Sequence, residues 1–274
     1  MRRYCLVGAG IAASPSPPMQ EAAFRACDIE ASYEVREATH DQLPAVMTLL
    51  RDGTFDGCNV TIPHKMPMAG LCDRLEGDAA TLRAVNTLVR DGASVVGLNT
   101  DAAGFELALS ALALWPHPRC NALVFGSGGA AAAVTLALTR APAARVSVVA
   151  RNHENALAML ERAAASCDTQ VLSWSTADVR GALANTDIVV NATPAGMSEL
   201  PIDLAALRSS CTVADVRYRP RPVDLVVAAA ESRRCTCDGS EMLLCQGMLS
   251  FQAWTGVDPP WDVAREALHR SLKA

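Results

Sequence analysis

From Asn121 onward the chain alternates short, largely β-branched runs with helical stretches, a pattern that leaves few folds open. Asn121 to Phe125 is one such run, followed by Gly126-Ser-Gly-Gly129 and an alanine-rich stretch reaching about Arg140. Arg145 to Ala150 is the next, with a helical stretch through Ala165 behind it. Asp187 to Val190 and Thr212 to Val216 supply further strands. Pro222 to Ser232 reads as a helix with Pro222 in its first turn. Strands separated by helices do not pair as hairpins. They predict a parallel sheet covered on both faces, in an α/β fold.

The first hundred residues mix strands and helices less regularly. Strands are expected at Tyr4 to Gly8, Ser32 to Val35, Gly57 to Val60, Thr87 to Arg90 and Ser94 to Leu98. Asp101 is expected to cap an apolar-faced helix reaching Trp115, which Pro116-His-Pro118 then breaks. From about Gly239 to Ala274 the pattern is two helices separated by Gly256 and Pro259-Pro260. At 274 residues the chain is long for one core and comfortable for two lobes of roughly 100–150 residues.

Composition narrows the partners. Aromatics make up 4% of the chain, too few for base-stacking platforms, and the net charge of −5 comes with no basic stripe. Neither nucleic acid nor membrane is an expected partner. The ten cysteines are dispersed from Cys5 to Cys245, as reduced, mostly buried thiols are. Cys235 and Cys237 lie close in sequence, but no second pair or nearby histidine completes a metal site, and none is expected. Arg2-Arg3 followed by Cys5 to Ala13 imitates a short signal peptide. Two glycines interrupt it and Pro15, Pro17 and Pro18 follow, so a strand running into a loop fits better. No apolar run approaches the ~20 residues a bilayer-spanning helix needs, and a cytoplasmic protein is expected.

Gly126-Ser127-Gly128-Gly129-Ala130-Ala131 fits G-x-G-x-x-G/A, after a strand and opening a helix. Glycines there let backbone N–H groups approach a pyrophosphate at a helix N-terminus, so the loop predicts dinucleotide binding. Gly8-Ala-Gly10-Ile-Ala-Ala13 matches the same pattern, yet Pro15, Pro17 and Pro18 bar a helix from starting where a phosphate needs one. That second match is read as a decoy. At the end of the next strand, where an NAD enzyme usually places Asp or Glu for the ribose 2′-hydroxyl, stand Ala150-Arg151-Asn152. A guanidinium suits a 2′-phosphate through paired, charge-assisted hydrogen bonds, and the cofactor expected is NADP.

Short, distinct motifs are spread along nearly the whole chain: Ser14-Pro-Ser16-Pro17, Asn59-Val-Thr-Ile-Pro-His-Lys65, Ala84-Val-Asn-Thr-Leu88 and Gly97-Leu-Asn-Thr-Asp101-Ala-Ala-Gly104. Asn191-Ala-Thr-Pro-Ala-Gly-Met197, Asp215-Val-Arg-Tyr218-Arg-Pro220, Gly239-Ser-Glu-Met-Leu-Leu-Cys-Gln246 and Trp254-Thr-Gly256 follow. In this set and order the chain resembles the shikimate dehydrogenases. The resemblance implies a substrate domain over residues 1–101, completed by 239–274, and a Rossmann-type NADP domain over 102–238, with the active site in the cleft. It implies a monomer or homodimer that acts on a small ring carboxylate. The family reaction is reversible hydride transfer between NADPH and the 3-oxo group of 3-dehydroshikimate, giving shikimate.

Residue types suit that chemistry. When hydride reaches a carbonyl carbon, charge grows on oxygen and a proton must be supplied. By resemblance Lys65 and Asp101 are the catalytic pair, Lys65 as general acid and base. Ser14, Ser16 and Tyr218 are implied to meet the carboxylate, and Thr61, Asn86 and Gln246 the ring hydroxyls. On the cofactor side stand Gly126, Ser127, Gly128, Gly129, Ala130, Arg151 and Asn152, with Thr193, Met197 and Met242 placed there by the resemblance. His64, although next to Lys65, is expected to be structural, because neighbouring side chains point in different directions. Several positions depart from the family: Ala13 where most relatives carry His, Gly8-Ala-Gly10-Ile11, Ser127, Ala150-Arg151-Asn152, and Arg217 before Tyr218. These bear on the substrate and leave open a paralogue acting on quinate, aminoshikimate or a related ring acid; a non-catalytic NADP-binding relative is a separate alternative.

Overall fold

Residues 1–115, 118–141, 143–164 and 167–273 are described by a computed structural model, in two units: Met1–Thr100 with Leu243–Ala274, and Asp101–Met242. The first unit opens with β1 (Arg2–Gly8), α1 (Ser16–Ala26), β2 (Ala31–Glu37), α2 (Leu43–Arg51), β3 (Gly57–Val60) and α3 (Lys65–Ala69). It continues with β4 (Arg74–Leu75), α4 (Asp78–Leu82), β5 (Thr87–Asp91) and β6 (Ser94–Leu98). The second unit runs α5 (Asp101–Ala111), β7 (Asn121–Phe125), α6 (Gly129–Arg140), β8 (Arg145–Ala150), α7 (His153–Ala163) and β9 (Asp168–Ser173). After these come α8 (Thr176–Leu183), β10 (Ile188–Asn191), β11 (Thr212–Asp215), α9 (Asp224–Glu231) and β12 (Thr236–Cys237). Helix α10 (Ser240–Thr255) spans the boundary, and α11 (Trp261–Lys273) belongs to the first unit. No helix among the described residues is long and apolar enough to cross a membrane.

The first sheet has the order β2-β1-β3-β5-β6-β4 and is mixed: β1 lies parallel to β2 and β3, while β5 is antiparallel to both β3 and β6. Val7, Leu43, Met47, Leu50, Phe55, Val60, Met68 and Leu88 are buried together in its core. A second layer comes from the end of the chain. Tyr4 stacks between Phe24 and Trp254, with centroids 4.9 and 4.8 Å away. The Trp254 indole lies over Gly57, where any Cβ would collide with Nε1, and that N–H donates to the Leu88 carbonyl at 2.9 Å. Ser250 Oγ bonds Asn59 Nδ2 at 2.9 Å and Thr87 Oγ1 at 2.7 Å.

The second sheet is parallel throughout, in the order β12-β11-β10-β7-β8-β9. From β7 the chain steps outward to β8 and β9, then returns to the other side of β7 with β10. That reversal is a topological switch point, the place where open α/β sheets take ligands at their carboxyl ends. The α/β fold is the one the alternation predicts.

Local departures have local causes. Helix α5 ends at Ala111 rather than Trp115, because Ala113 takes a left-handed φ of 55°. Pro116, His117 and Ala165 lie outside the described residues, and α7 ends at Ala163. Helix α9 begins at Asp224, so Pro222 precedes its first turn. A helix does follow the decoy glycines, but it starts only at Ser16, with prolines at its first positions, where a missing N–H breaks no helix bond.

Candidate active site

In the first unit four strand ends meet at one edge of the sheet. Val7 of β1 pairs with Val60 of β3, and the antiparallel β5 starts where β3 ends, with Thr87 opposite both Asn59 and Leu98. The segments leaving β1 and β3, entering β5 and leaving β6 are therefore neighbours. They carry Ser14 and Ser16, Thr61 and Lys65, Asn86, and Thr100. Thr61 N donates to Val7 O at 2.9 Å, and His64 N to Thr61 O at 2.9 Å, which turns the chain into α3 with Lys65 as its first residue. The Lys65 carbonyl then accepts from Val85 N at 2.9 Å, fastening this turn beside Asn86.

Asn86 is held from every side. Its Oδ1 accepts from Thr100 N at 2.8 Å and from Thr87 Oγ1 at 2.9 Å. Its Nδ2 donates to Thr100 Oγ1 at 2.8 Å and to Gln246 Oε1 at 3.2 Å. Thr100 Oγ1 also bonds the Gln246 carbonyl at 2.9 Å. The structure thus brings Asn86 and Gln246 together, 160 residues apart in sequence. Ser14 and Ser16 are joined by a 3.2 Å bond between their hydroxyls. His64 is buried with Nε2 2.7 Å from the Ala38 carbonyl, a bond that ties it to the fold.

Asp101 opens the second unit as the buried first residue of α5, and Tyr218 follows β11. Desolvation raises the Tyr218 phenol above its usual pKa, with Arg219 pulling weakly the other way. The phenol therefore remains a hydrogen-bond donor at neutral pH.

The glycine loop lies at the switch point. Gly126 N donates to Val149 O at 2.9 Å with φ at +112°, and a Cβ on it would meet Thr193 Cγ2 at 2.9 Å and Ala192 O at 3.1 Å. Thr193 is thus packed against the loop. It is held by Asn191 Oδ1, which accepts from Thr193 Oγ1 at 2.7 Å and from its N–H at 3.1 Å. A Cβ on Gly128 would meet nothing within 4 Å, so this side of the loop is open to a phosphate at the start of α6, where N–H groups have no partner within the helix. These residues fit a dinucleotide. Gly126→Ala is expected to cost about 1–3 kcal/mol of stability through backbone strain and contact with Thr193. An unchanged denaturant midpoint would contradict it.

Arg151 is exposed at the end of β8, and Asn152 caps α7, its side chain accepting from Asn155 N at 2.9 Å. Met242 lines a small apolar cavity with Phe105, Ala108 and Leu109. Met197 is fixed through its backbone: its N–H donates to Asp224 Oδ2 at 2.7 Å. Asp224 Oδ1 in turn accepts from Arg217 Nη2 at 2.6 Å. Arg217 also binds the buried Asp215 carboxylate, with Nε 3.0 Å from Oδ1 and Nη2 2.7 Å from Oδ2. Asn191 Nδ2 closes the network on Asp215 Oδ2 at 3.0 Å. Asp215, Asp224 and Asn191 are the residues that motif reading left without a role, and Arg217 is the departure it left unexplained.

Residues 6–88 match the family described as the shikimate dehydrogenase substrate binding domain, and residues 239–269 match the shikimate 5′-dehydrogenase C-terminal domain. Over 270 residues the chain is 34% identical to a shikimate dehydrogenase (NADP(+)) of an Exiguobacterium species, covering 98% of each. The solved structure of Thermus thermophilus shikimate 5-dehydrogenase in complex with NADP(H) and shikimate matches with a TM-score of 0.87 at 30% identity, covering 99% of this chain and 100% of that one. Quinate dehydrogenase from Corynebacterium glutamicum in complex with NAD matches at 0.85 and 27% identity, covering 98% and 99%.

Proposed function

The chain belongs to the shikimate dehydrogenase family, and from that premise we propose that it reversibly reduces 3-dehydroshikimate to shikimate with NADPH. The observation that carries this reading is near-full-length likeness to NADP-dependent shikimate dehydrogenases, joined to a sheet edge that collects the matching polar residues. Residues 1–101 with 239–274 are assigned to the ring acid, and 102–238 to NADP.

The bound cofactor supplies the hydride; the chain's residues manage the proton and the charge. Lys65 as an ammonium stabilises negative charge on the substrate oxygen and donates its proton there; in the reverse direction its neutral amine takes the proton back. Asp101 accepts a hydrogen bond from a substrate hydroxyl and steadies the lysine. Asn86, whose carboxamide is already oriented by Thr87, Thr100 and Gln246, meets ring hydroxyls together with Thr61 and Gln246. Ser14, Ser16 and the protonated Tyr218 phenol donate to the carboxylate. Gly126, Ser127, Gly128, Gly129 and Ala130 cradle the pyrophosphate, Arg151 and Asn152 take the 2′-phosphate, and Thr193, Met197 and Met242 lie toward the nicotinamide. The protein works in the cytoplasm, as a monomer or homodimer, on small molecules alone.

The test is a matrix of initial rates, read from the absorbance of reduced nicotinamide, with shikimate and quinate against NADP+ and NAD+. Shikimate with NADP+ is expected to be the fastest pair. The likeness to a quinate dehydrogenase and the Ala13 departure favour a second reading, a paralogue acting on quinate or a related ring acid. Turnover of quinate without shikimate would establish it. Tight NADP+ binding with no turnover of any ring acid would instead mark a non-catalytic relative.

A further inference from the structure

Arg151 does not stand alone at the end of β8. Its guanidinium carbon lies 4.8 Å from the centre of the Trp174 indole, in a cation–π arrangement. Trp174 is fixed on two other sides. It meets Phe125 edge to face, with centroids 5.9 Å apart at 75°, and its Nε1–H donates to the Glu199 carbonyl at 3.2 Å. These partners are separate pieces of the nucleotide-binding end. Phe125 immediately precedes the glycine loop, and Glu199 closes the short 3-10 turn that begins at Met197.

We propose that Trp174 is a positioning residue for cofactor choice, holding the Arg151 guanidinium in the pose that receives the 2′-phosphate of NADP. The inference rests on the reading of Arg151 as the 2′-phosphate ligand and extends it. Stacking occupies the face of a guanidinium and leaves its in-plane N–H donors pointing outward, the edge that a phosphate binds in bidentate fashion. Among the described residues, Arg151 makes no hydrogen bond or ion pair that would compete for those donors. A long exposed side chain ordinarily loses rotamer freedom when it closes on a ligand; one already stacked loses less, so the phosphate is bound more tightly. Because Phe125 and Glu199 clamp the indole, it does not swing away with the arginine. NAD lacks the phosphate and gains nothing from this arrangement.

The experiment compares dissociation constants for NADP+ and NAD+ in the wild type, Trp174→Leu, Trp174→Phe, Arg151→Ala and the Arg151→Ala/Trp174→Leu double variant. At a partly exposed cation–π contact, Trp174→Leu is expected to weaken NADP+ about two- to five-fold and leave NAD+ unchanged. Trp174→Phe keeps an aromatic face and is expected to retain most of the NADP+ affinity. In the Arg151→Ala background, Trp174→Leu is expected to change nothing further, because the two residues act as one. Equal weakening of both cofactors by Trp174→Leu means the indole is only structural and overturns the proposal. If Arg151→Ala weakens NADP+ selectively while Trp174→Leu does not, the proposal fails and the Arg151 reading stands. If Arg151→Ala weakens both cofactors alike, the Arg151 reading itself fails.

Discussion

Lys65→Ala is expected to lower kcat for shikimate oxidation by about 10²- to 10⁴-fold, the usual loss when a positioned acid–base group is removed, with NADP+ affinity unchanged. The asymmetry follows from where the residue sits. Lys65 opens α3 in the first unit, and its backbone carbonyl, which alanine keeps, accepts from Val85 N. The residues proposed to hold the nucleotide, among them the glycine loop, Thr193 and Arg151, all belong to the second unit and are left unchanged by this substitution. Steady-state kinetics with shikimate, paired with calorimetric titration of NADP+, separates the two effects. A kcat within a factor of a few of the wild type would remove Lys65 from the chemistry. Parallel loss of NADP+ binding would point instead to a folding defect.

The second large effect is on stability. Arg217→Met leaves the Asp215 carboxylate, with none of its side chain exposed, without its cation. Breaking a buried pair in this one-sided way costs about 3–5 kcal/mol, a fall in Tm on the order of 10 °C, to be read by scanning calorimetry. Arg217→Lys is expected to recover part of it, since one ammonium cannot reproduce the fork that spans Asp215 and Asp224. A Tm equal to the wild type would show that the network contributes nothing. The same network sets a pH limit. Burial pushes the Asp224 carboxyl upward, but bonds from Arg217, Met197 N and Leu225 N outweigh it and hold it below the usual carboxylate value. A group depressed on folding contributes its stability above its unfolded pKa of about 3.9 and loses it as pH falls through the folded value. The Met197 anchor is therefore expected to hold through the neutral range and fail only in strong acid.

How far the sequence could be read depended on how local the cause was. Gly57–Val60, Ser94–Leu98, Asn121–Phe125 and Arg145–Ala150 were legible to the residue, because each is a short run with turn residues at its ends. Strand β9 was not, since Asp168–Ser173 is a half-exposed edge strand with no apolar run. Strand β4 is only Arg74–Leu75, too short to leave a pattern. Within the candidate site, the resemblance grouped Asn86 and Gln246 at the ring hydroxyls, but the direct bond between their side chains is legible only in the fold. Arg217 was visible as an oddity with no purpose. Its partners come from the end of β11 and the start of α9, and nothing in their spacing announces a shared network. Trp174 carried no signal at all, because an isolated tryptophan after an unrecognised strand resembles any other.

The sheet whose strands come first in the chain is finished by Gly247, Ser250 and Trp254, which accept from Gln20, bridge Asn59 to Thr87 and cover Gly57. The other sheet is encoded without interruption from Asp101 to Met242. On the ribosome, then, the half that emerges first matures last. At ordinary elongation speeds it waits roughly 10–30 s for its closing helix. Through that interval Tyr4 and Phe24 lack the cover of Trp254 and Phe251, and a chaperone is expected to find its opening there.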